Sequence, residues 1–274
     1  MLRGPTRILR SSLAADGATA ARGADARTLY LQEATCQRVD ASDDALVVTV
    51  QRNGEKARQM RFPLERVARI VSSTALDWSG AALQLCLQRH LSICWLSGRG
   101  DALGSLYSHR PHALPFASAL DLLLETDAGL ARYAHWHRSR RMHVQLQWGR
   151  LSEQDIAPQA WEACKRHWVY QAQIDAHLPP RLNGLLAAVV AQQLQKDGLA
   201  PVHAGPAGTS VPLADDLVCL LWAEMNLCTG PLADQIDGGE ELALVLERWQ
   251  SRNGSALLLH LSSLQRLAGK EIYA

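Results

Sequence analysis

The first third of the chain alternates short segments containing apolar positions with turn-forming residues, a pattern typical of β-strands joined by tight connections. Asp43-Asp44 and Asn53-Gly54 lie between such segments, and Asn-Gly is the strongest short signal for a β-hairpin. The segments begin at Thr28 and are TLYLQ, TCQRVD, ALVVTV, ARQMRFP and VARIVSS. This pattern predicts a β-rich domain.

One helix is predicted within this domain, directly after Ser79. Apolar residues recur at helical spacing in GAALQLCLQRH, and the hydroxyl of Ser79 is placed to cap the helix N-terminus. The apolar run LSICWLSG that follows has the length of a buried strand, and Gly98 to Asp101 predict a turn before ALGSLYS. The predicted order is therefore strands, one helix and further strands.

The pattern changes after HRPHALPFAS, a segment whose two prolines predict a linker at residues 111–118. Beyond it, long stretches of Ala, Leu, Gln, Trp and Arg favour helices. The predicted fold class is α+β, with a small β-rich domain at residues 28–110 and an all-α domain at residues 119–274. The helices of the second domain are predicted near residues 117–150, 157–176, 181–197, 213–228 and 239–268.

Composition changes this picture little. Of the 274 residues, 47% are hydrophobic and 20% are charged, so the chain can bury a core. The six cysteines lack the CxxC spacing of a zinc site, which favours a reducing cytoplasm. No apolar run has the length of a membrane span, and residues 1–27 lack the apolar core of a secretory signal. We expect residues 1–27 to be a disordered extension, or else an arginine-rich arm that touches nucleic acid.

The formal net charge of +1 does not indicate a nucleic-acid partner, so only local clusters of charged residues are informative about binding. Between Asp127 and Glu153 the sequence holds no acidic residue, although it holds arginines, histidines and tryptophans. Positive charge of this kind suits phosphate contact, and Trp136 or Trp148 could stack on bases. In the alternative interpretation, these tryptophans and Met142 pack in the core while the arginines face solvent. The candidate DNA contacts are Arg132, Arg138, Arg140, Arg141 and Arg150, extended by Lys165 and Arg166.

Several ordered features carry a family resemblance. In the first domain they are the opening Leu-Tyr-Leu, the sequence PLERV leading into Val71, the helix before an apolar strand, and GDALG at residues 100–104. In this order they resemble the N-terminal domain of the CRISPR adaptation integrases, the "Cas one" family. In the second domain, DGLAP at residues 197–201 and PLADDL at residues 212–217 are similar to segments near that family's active site.

The resemblance implies a CRISPR adaptation protein that takes part in spacer acquisition. It implies a homodimer formed through the β-rich domain, with a small "Cas two" dimer or another Cas protein as a partner. The helical domain would bind DNA duplexes with frayed or branched ends. In an active member, Mg²⁺ or Mn²⁺ held by carboxylates would drive phosphodiester transfer, as in an integrase or an endonuclease.

The metal ligands that this resemblance implies are a glutamate, a histidine and a pair of acids one helical turn apart. Asp216 matches the first acid of the pair, but Cys219 stands at the second, and a thiol is a poor ligand for Mg²⁺. The position of the histidine falls near Ala207, so that ligand is missing. His203 is either a substitute ligand or a surface-loop histidine, and Glu162 is either the glutamate or a solvated helix residue.

Three functions are compatible with the sequence. In the first, the protein binds DNA with reduced or lost metal-dependent activity, and Asp216 belongs to an ordinary helix N-terminus. In the second, it is an active integrase or endonuclease with Glu162, His203 and Asp216 as catalytic and metal-binding residues. In the third, it is a dimeric scaffold that does not bind DNA. The sequence favours the first, because at most two of the expected ligands are present.

Overall fold

The computed structural model describes residues 26–31, 36–51, 55–108, 115–152, 178–228 and 242–272. The chain divides into two compact units, residues 1–109 and 110–274, and the division falls at the start of the proline-containing segment HRPHALPFAS. The first unit is rich in strands and the second is mostly helical. The predicted α+β fold class is confirmed.

The strands of the first unit, within the described residues, are β1 (Arg27–Leu31), β2 (Cys36–Ser42), β3 (Ala45–Val50), β4 (Arg58–Pro63), β5 (Val67–Ser73), β6 (Asp77–Trp78), β7 (Ile93–Leu96) and β8 (Ala102–Leu106). One sheet has the order β1-β5-β7-β8, in which β8 is antiparallel to β7 and the other pairs are parallel. The second sheet has the order β4-β3-β2-β6, in which β6 is parallel to β2 and the other pairs are antiparallel.

The turn between β2 and β3 follows from its sequence. Asp43 and Asp44 form a two-residue connection, because Ser42 and Ala45 pair directly across it. Asp43 has a φ of 50°, a left-handed conformation that aspartate accepts more readily than most residues. The Asn53-Gly54 turn lies outside the described residues, although the strands that flank it, β3 and β4, pair antiparallel.

The core of the first unit includes residues of β5 and of the helix α1 (Gly80–Gln88). Ile70 on β5 and Cys86 on α1 are both completely buried. As predicted, the Ser79 hydroxyl caps α1, accepting a hydrogen bond from the Ala82 N–H at 3.2 Å. Such a cap contributes about 1 kcal/mol to stability.

The described helices of the second unit are α2 (Pro115–Leu124), α3 (Asp127–Ser152), α4 (Leu178–Asp197), α5 (Leu213–Cys228), α6 (Leu242–Asn253) and α7 (Ser255–Ile272). The helix predicted at residues 117–150 is two helices, since Thr126 starts α3 by accepting a hydrogen bond from the Gly129 N–H at 3.0 Å. The helix predicted at 239–268 is also divided, at Gly254. The helix predicted at 157–176 lies outside the described residues. No described helix combines the length and hydropathy needed to cross a bilayer.

The second unit is mostly helical, as predicted, and it also contains a short hairpin between α4 and α5. Its strands are β9 (His203–Ala204) and β10 (Ser210–Val211), paired antiparallel. Ala207 and Gly208 in the connection have φ values of 53° and 76°, which reverse the chain. Two-residue strands are too short to produce an alternating pattern, so no pattern in the sequence predicts them.

Candidate acidic site and nucleic-acid interface

Helix α3 places a row of polar and aromatic side chains on its buried face. Tyr133, Trp136, His137 and Arg140 are spaced three or four residues apart, so they share one side of the helix. Tyr133 and Trp136 are 5% and 6% exposed, and their rings contact each other with centroids 5.3 Å apart. This face packs against α5 and α7. The polar contacts between these three helices define the site.

Asp216 lies in the first turn of α5 and faces this row. The phenol of Tyr133 donates a hydrogen bond to Asp216 Oδ2 at 2.8 Å. Nδ1 of His137 lies 3.7 Å from Asp216 Oδ1. One carboxylate oxygen of Asp216 thus accepts a hydrogen bond from α3, and the other faces the His137 ring.

Burial controls the protonation of this cluster. It raises the pKa of Tyr133, and the negative charge of Asp216 and its hydrogen bond raise it further. Burial also lowers the pKa of His137, opposed by the charge of Asp216 and assisted by the nearby side chains of Arg141 and His260. The phenol therefore stays protonated and remains a donor to the carboxylate.

A second buried contact set joins α3, α7 and α5. Nε of Arg140 donates to Nδ1 of His260 at 2.9 Å. Nε2 of His260 lies 2.8 Å from Oε1 of Glu224, a close polar contact whose angle falls short of a hydrogen bond. His260 is completely buried, and one turn along α3 Trp136 Nε1 donates to Ser263 Oγ at 3.3 Å. These contacts fix α3 against α7.

The side chain that His203 contacts, Asp121, belongs to neither of these two contact sets. It lies on β9 with only 3% of its surface exposed, so it is not a surface-loop histidine. Its Nδ1 is 2.6 Å from Asp121 Oδ1 on α2, which ties the hairpin to that helix. Its Nε2 is buried and has no hydrogen-bond partner within the described ranges.

Part of the sequence, and the fold, are similar to those of known proteins. A family model described as CRISPR associated protein Cas1 matches residues 29–131. A Cas1 protein from Thermotoga maritima has a similar fold, with a TM-score of 0.63, 13% identity, and coverage of 87% of this chain and 95% of that chain. Residues 29–131 are thus similar to the Cas1 family, and the chain has a Cas1-like fold.

Two further solved structures share the fold of this Cas1-like chain. A casposase bound to its integration product has a TM-score of 0.55 at 11% identity, covering 78% of this chain and 74% of that one. TtCas1 in complex with DNA has a TM-score of 0.53 at 12% identity, covering 87% and 90%. No curated protein matches the chain.

The candidate metal ligands that the structure describes, Asp216, His203 and Cys219, do not fit Mg²⁺ or Mn²⁺. Asp216 already accepts a hydrogen bond from Tyr133, and His203, whose Nδ1 contacts Asp121, keeps only Nε2 for another partner. Cys219, on the same helix as Asp216, has a thiol where a hard cation needs oxygen. In the part of the chain that the structure describes, no three His, Cys, Asp or Glu side chains group as a metal site. Glu162 lies outside that part.

The candidate DNA contacts are distributed unevenly on α3. Arg132 and Arg138 are exposed, whereas Arg140 and Arg141 are half-buried. Trp136 is buried, which corrects the expectation that it could stack on bases, whereas Met142 is 48% exposed and does not pack in the core. The structure does not describe the side chains of Trp148 and Arg150, or any part of Lys165 and Arg166.

Sequence reasoning missed the partners of the α3 row. Tyr133, Glu224 and His260 were not singled out, although each makes one of the contacts that organise the site. A signal did exist for Tyr133, because it precedes His137 and Arg140 by one and two helical turns. No comparable signal marks Glu224 or His260, whose partners lie on distant helices.

Proposed function

We propose that this Cas1-like chain is a CRISPR adaptation protein that binds DNA through its helical unit and has reduced or lost integrase and nuclease chemistry. The observation that carries the proposal is the engagement of Asp216 by Tyr133. This hydrogen bond already uses one carboxylate oxygen of Asp216 and orients the group toward Tyr133, which leaves fewer lone pairs for a metal. Cys219, one turn later, supplies no second oxygen ligand.

DNA binding is supported by the exposed side of α3. Arg132 and Arg138 project from the same helix whose other face is anchored by Tyr133 and Trp136. A helix fixed in this way can present guanidinium groups to phosphates with little loss of backbone freedom. The related fold of TtCas1 is known in complex with DNA, which agrees with this role.

The β-rich unit supports a second part of the proposal, a homodimer. Strand β8 is an edge strand, and Leu103 at its start is 63% exposed. Edge strands that carry an exposed apolar residue favour pairing with another chain. Light scattering of Leu103→Lys should show a shift toward monomer, whereas the exposed substitution Arg89→Gln on the same unit should leave the mass unchanged.

We also propose a protein partner and a cellular location. A small "Cas two" dimer or another Cas protein is the expected protein partner of such a homodimer. A reducing cytoplasm suits the free thiols of Cys36, Cys86 and Cys94, which are all buried. Mg²⁺ or Mn²⁺ would be the cofactor only of an active form.

Chemistry is tested by a nicking and integration assay on branched DNA with Mn²⁺. We expect the wild type to give no more product than the Asp216→Ala and Glu162→Ala variants. If the wild type cleaves and Asp216→Ala does not, the chain is an active metal-dependent enzyme and the proposed loss is wrong.

DNA binding is tested by a salt titration of duplex binding. Each phosphate neutralised by a cationic side chain contributes roughly −0.9 to the slope of log affinity against log salt concentration. A steep negative slope is expected for the wild type. Absence of binding, or binding that does not depend on salt, would favour a scaffold without DNA.

A further inference from the structure

Two hydrogen bonds fix the direction of α7 along α3. Nε1 of Trp136 donates to Oγ of Ser263, and one turn further along α3 Arg140 donates to His260. The numbering therefore rises along α3 as it falls along α7, so the two helices are antiparallel. The contact between Trp136 and Ser263 also marks the seam where the two helices meet.

This register places Arg132 and Arg266 at nearly the same level of the α3–α7 seam. Arg132 precedes Trp136 by four residues, or about 6 Å along α3. Arg266 follows Ser263 by three residues, or about 4.5 Å along α7. In an antiparallel pair both steps lead in the same direction, so the two levels differ by only about 1.5 Å. Because residues three or four apart share one side of a helix, both arginines also lie on the seam side of their helices.

Both arginine side chains are exposed, and each is tethered to its own helix. Nε of Arg132 donates to the Ala128 carbonyl at 3.4 Å. Nε of Arg266 donates to the Ser262 carbonyl at 3.3 Å. Each tether leads toward the N-terminus of its helix, and in an antiparallel pair these two directions are opposite. The guanidinium groups are thus held apart along the seam, which suits two neighbouring phosphates of one strand better than a single phosphate.

The seam is formed by two stretches of sequence that hold no acidic residue. One runs from Ala128 to Ser152 on α3, and the other runs from Ser255 to Lys270 on α7. Asp127, five residues before Arg132, lies about 140° away from it around the helix. A surface of this kind has a positive potential, which attracts the phosphates of a nucleic acid.

We propose that Arg132 and Arg266 contact neighbouring phosphates of one DNA strand across the α3–α7 seam. This inference rests on the proposed DNA binding, and it adds α7 to the DNA-binding surface. Arginine suits the role because its planar fork matches two oxygens of a phosphate. Contacts of this kind fix the position of the DNA without reading its sequence.

The test is fluorescence anisotropy of a labelled DNA duplex with frayed ends, measured over a series of NaCl concentrations. Arg132→Gln and Arg266→Gln should each weaken binding about tenfold at about 0.1 M salt and reduce the magnitude of the salt slope by about 0.9. The loss should be the same on two duplexes of unrelated sequence, and a loss confined to one of them would overturn the assignment to phosphates. Circular dichroism melting would confirm that each variant is folded.

The matched control exchanges two neighbouring residues of α7. Gln265→Arg combined with Arg266→Gln keeps the composition and the net charge, and both positions are exposed. Around the helix, position 265 lies about 160° from Ser263, whereas position 266 lies about 60° from it. The exchange should therefore weaken binding as much as Arg266→Gln alone. If the exchanged protein binds as tightly as the wild type, only the charge of α7 matters and the seam contact is wrong.

A second control is Arg252→Gln, an exposed arginine on α6 that carries the same loss of charge. It should leave both the affinity and the salt slope at the wild-type values. Equal losses in Arg252→Gln and Arg266→Gln would refute the seam contact, because the effect would then be one of net charge.

The outcomes separate this contact from the proposed function. A wild type that binds with a steep salt slope and is weakened by Arg132→Gln but not by Arg266→Gln would overturn the seam contact and leave DNA binding by α3 intact. A wild type that does not bind the duplex would remove the proposed function itself, and the seam contact with it.

Discussion

Tyr133 on α3 donates a hydrogen bond to Oδ2 of Asp216 on α5 at 2.8 Å, across 83 positions of sequence. The sequence resemblance implies that Asp216 is a metal ligand, whereas in the structure its carboxylate connects two helices of the fold. A hydrogen bond to a charged group is worth about 1.5–3 kcal/mol, a considerable part of the stability of one domain. Loss of this hydrogen bond would therefore lower the stability of the second unit.

Removing the phenol tests the structural role of this pair. Tyr133→Phe should lower the free energy of unfolding by roughly 1–3 kcal/mol, because half-buried Asp216 loses its donor. Urea unfolding followed by circular dichroism measures the change. Asp215→Asn, an exposed neighbour on α5, is the control and should stay within about 0.5 kcal/mol of the wild type. Equal stability of Tyr133→Phe and the wild type would show that the bond contributes nothing.

The Asp121–His203 contact should anchor the β9–β10 hairpin to α2. His203→Ala is expected to cost roughly 2–3 kcal/mol, since a buried ring is lost together with its hydrogen bond. Asp121→Asn should cost less, because Asp121 is largely exposed and its charge is screened by solvent. Glu125→Gln at the end of the same helix provides the control, and thermal unfolding provides the measurement. If Mn²⁺ protected only the protein with an intact His203, that histidine would be a metal ligand instead.

The sequence predicted the class of fold better than its details. The Asp43-Asp44 connection and the Ser79 cap form as expected, because a turn and a helix cap depend on a few neighbouring residues. Thr126 and Gly254 divide two predicted helices, since apolar periodicity continues across such breaks. The motif PLADDL predicts Asp216 as a site residue, which stays a prediction, but no motif predicts its partner Tyr133, because that contact depends on how α3 packs on α5.

Gly129 is required by the close approach of α2 and α3. A Cβ atom at this position would overlap the carbonyl group of Leu123, which is backbone and cannot move aside. Gly129→Ala should therefore destabilise the protein by roughly 1–3 kcal/mol. Gly269→Ala on α7 is the matched control, because its Cβ would meet no atom within 4 Å. We expect the control to stabilise the helix slightly, by up to about 1 kcal/mol, and equal midpoints of the two variants in urea would refute the steric argument.

The thiols of the first unit should be protected by burial. Burial raises the pKa of the Cys86 thiol to about 12, so in the folded state it remains a thiol where an exposed cysteine would ionise. The raised pKa stabilises the fold below the ordinary cysteine pKa of about 8.5, and this stabilisation is lost as the pH rises toward the folded value. With iodoacetamide at pH 8, half-buried Cys219 should be modified well before Cys86, as peptide mass spectrometry would show. Equal rates in the folded protein would contradict the burial of Cys86.

Restoring an acid to α5 tests whether the metal site is damaged in the way proposed. Cys219→Asp supplies a second carboxylate one turn after Asp216, and Tyr133→Phe releases the first from its hydrogen bond. Mn²⁺ should leave the unfolding midpoint of the wild type unchanged but raise that of the double variant. The gain is about 1.4 kcal/mol when the metal is in tenfold excess over its dissociation constant.

The control for this experiment is Tyr133→Phe combined with Cys219→Asn, which has a similar shape without the second negative charge. Mn²⁺ should not stabilise this control, because a single carboxylate holds a divalent cation weakly. Stabilisation of the wild type to the same extent as Tyr133→Phe/Cys219→Asp would mean that the native residues already bind the metal. In that case Asp216 would exchange its bond to Tyr133 for a metal ion, and the proposed loss of chemistry would be wrong.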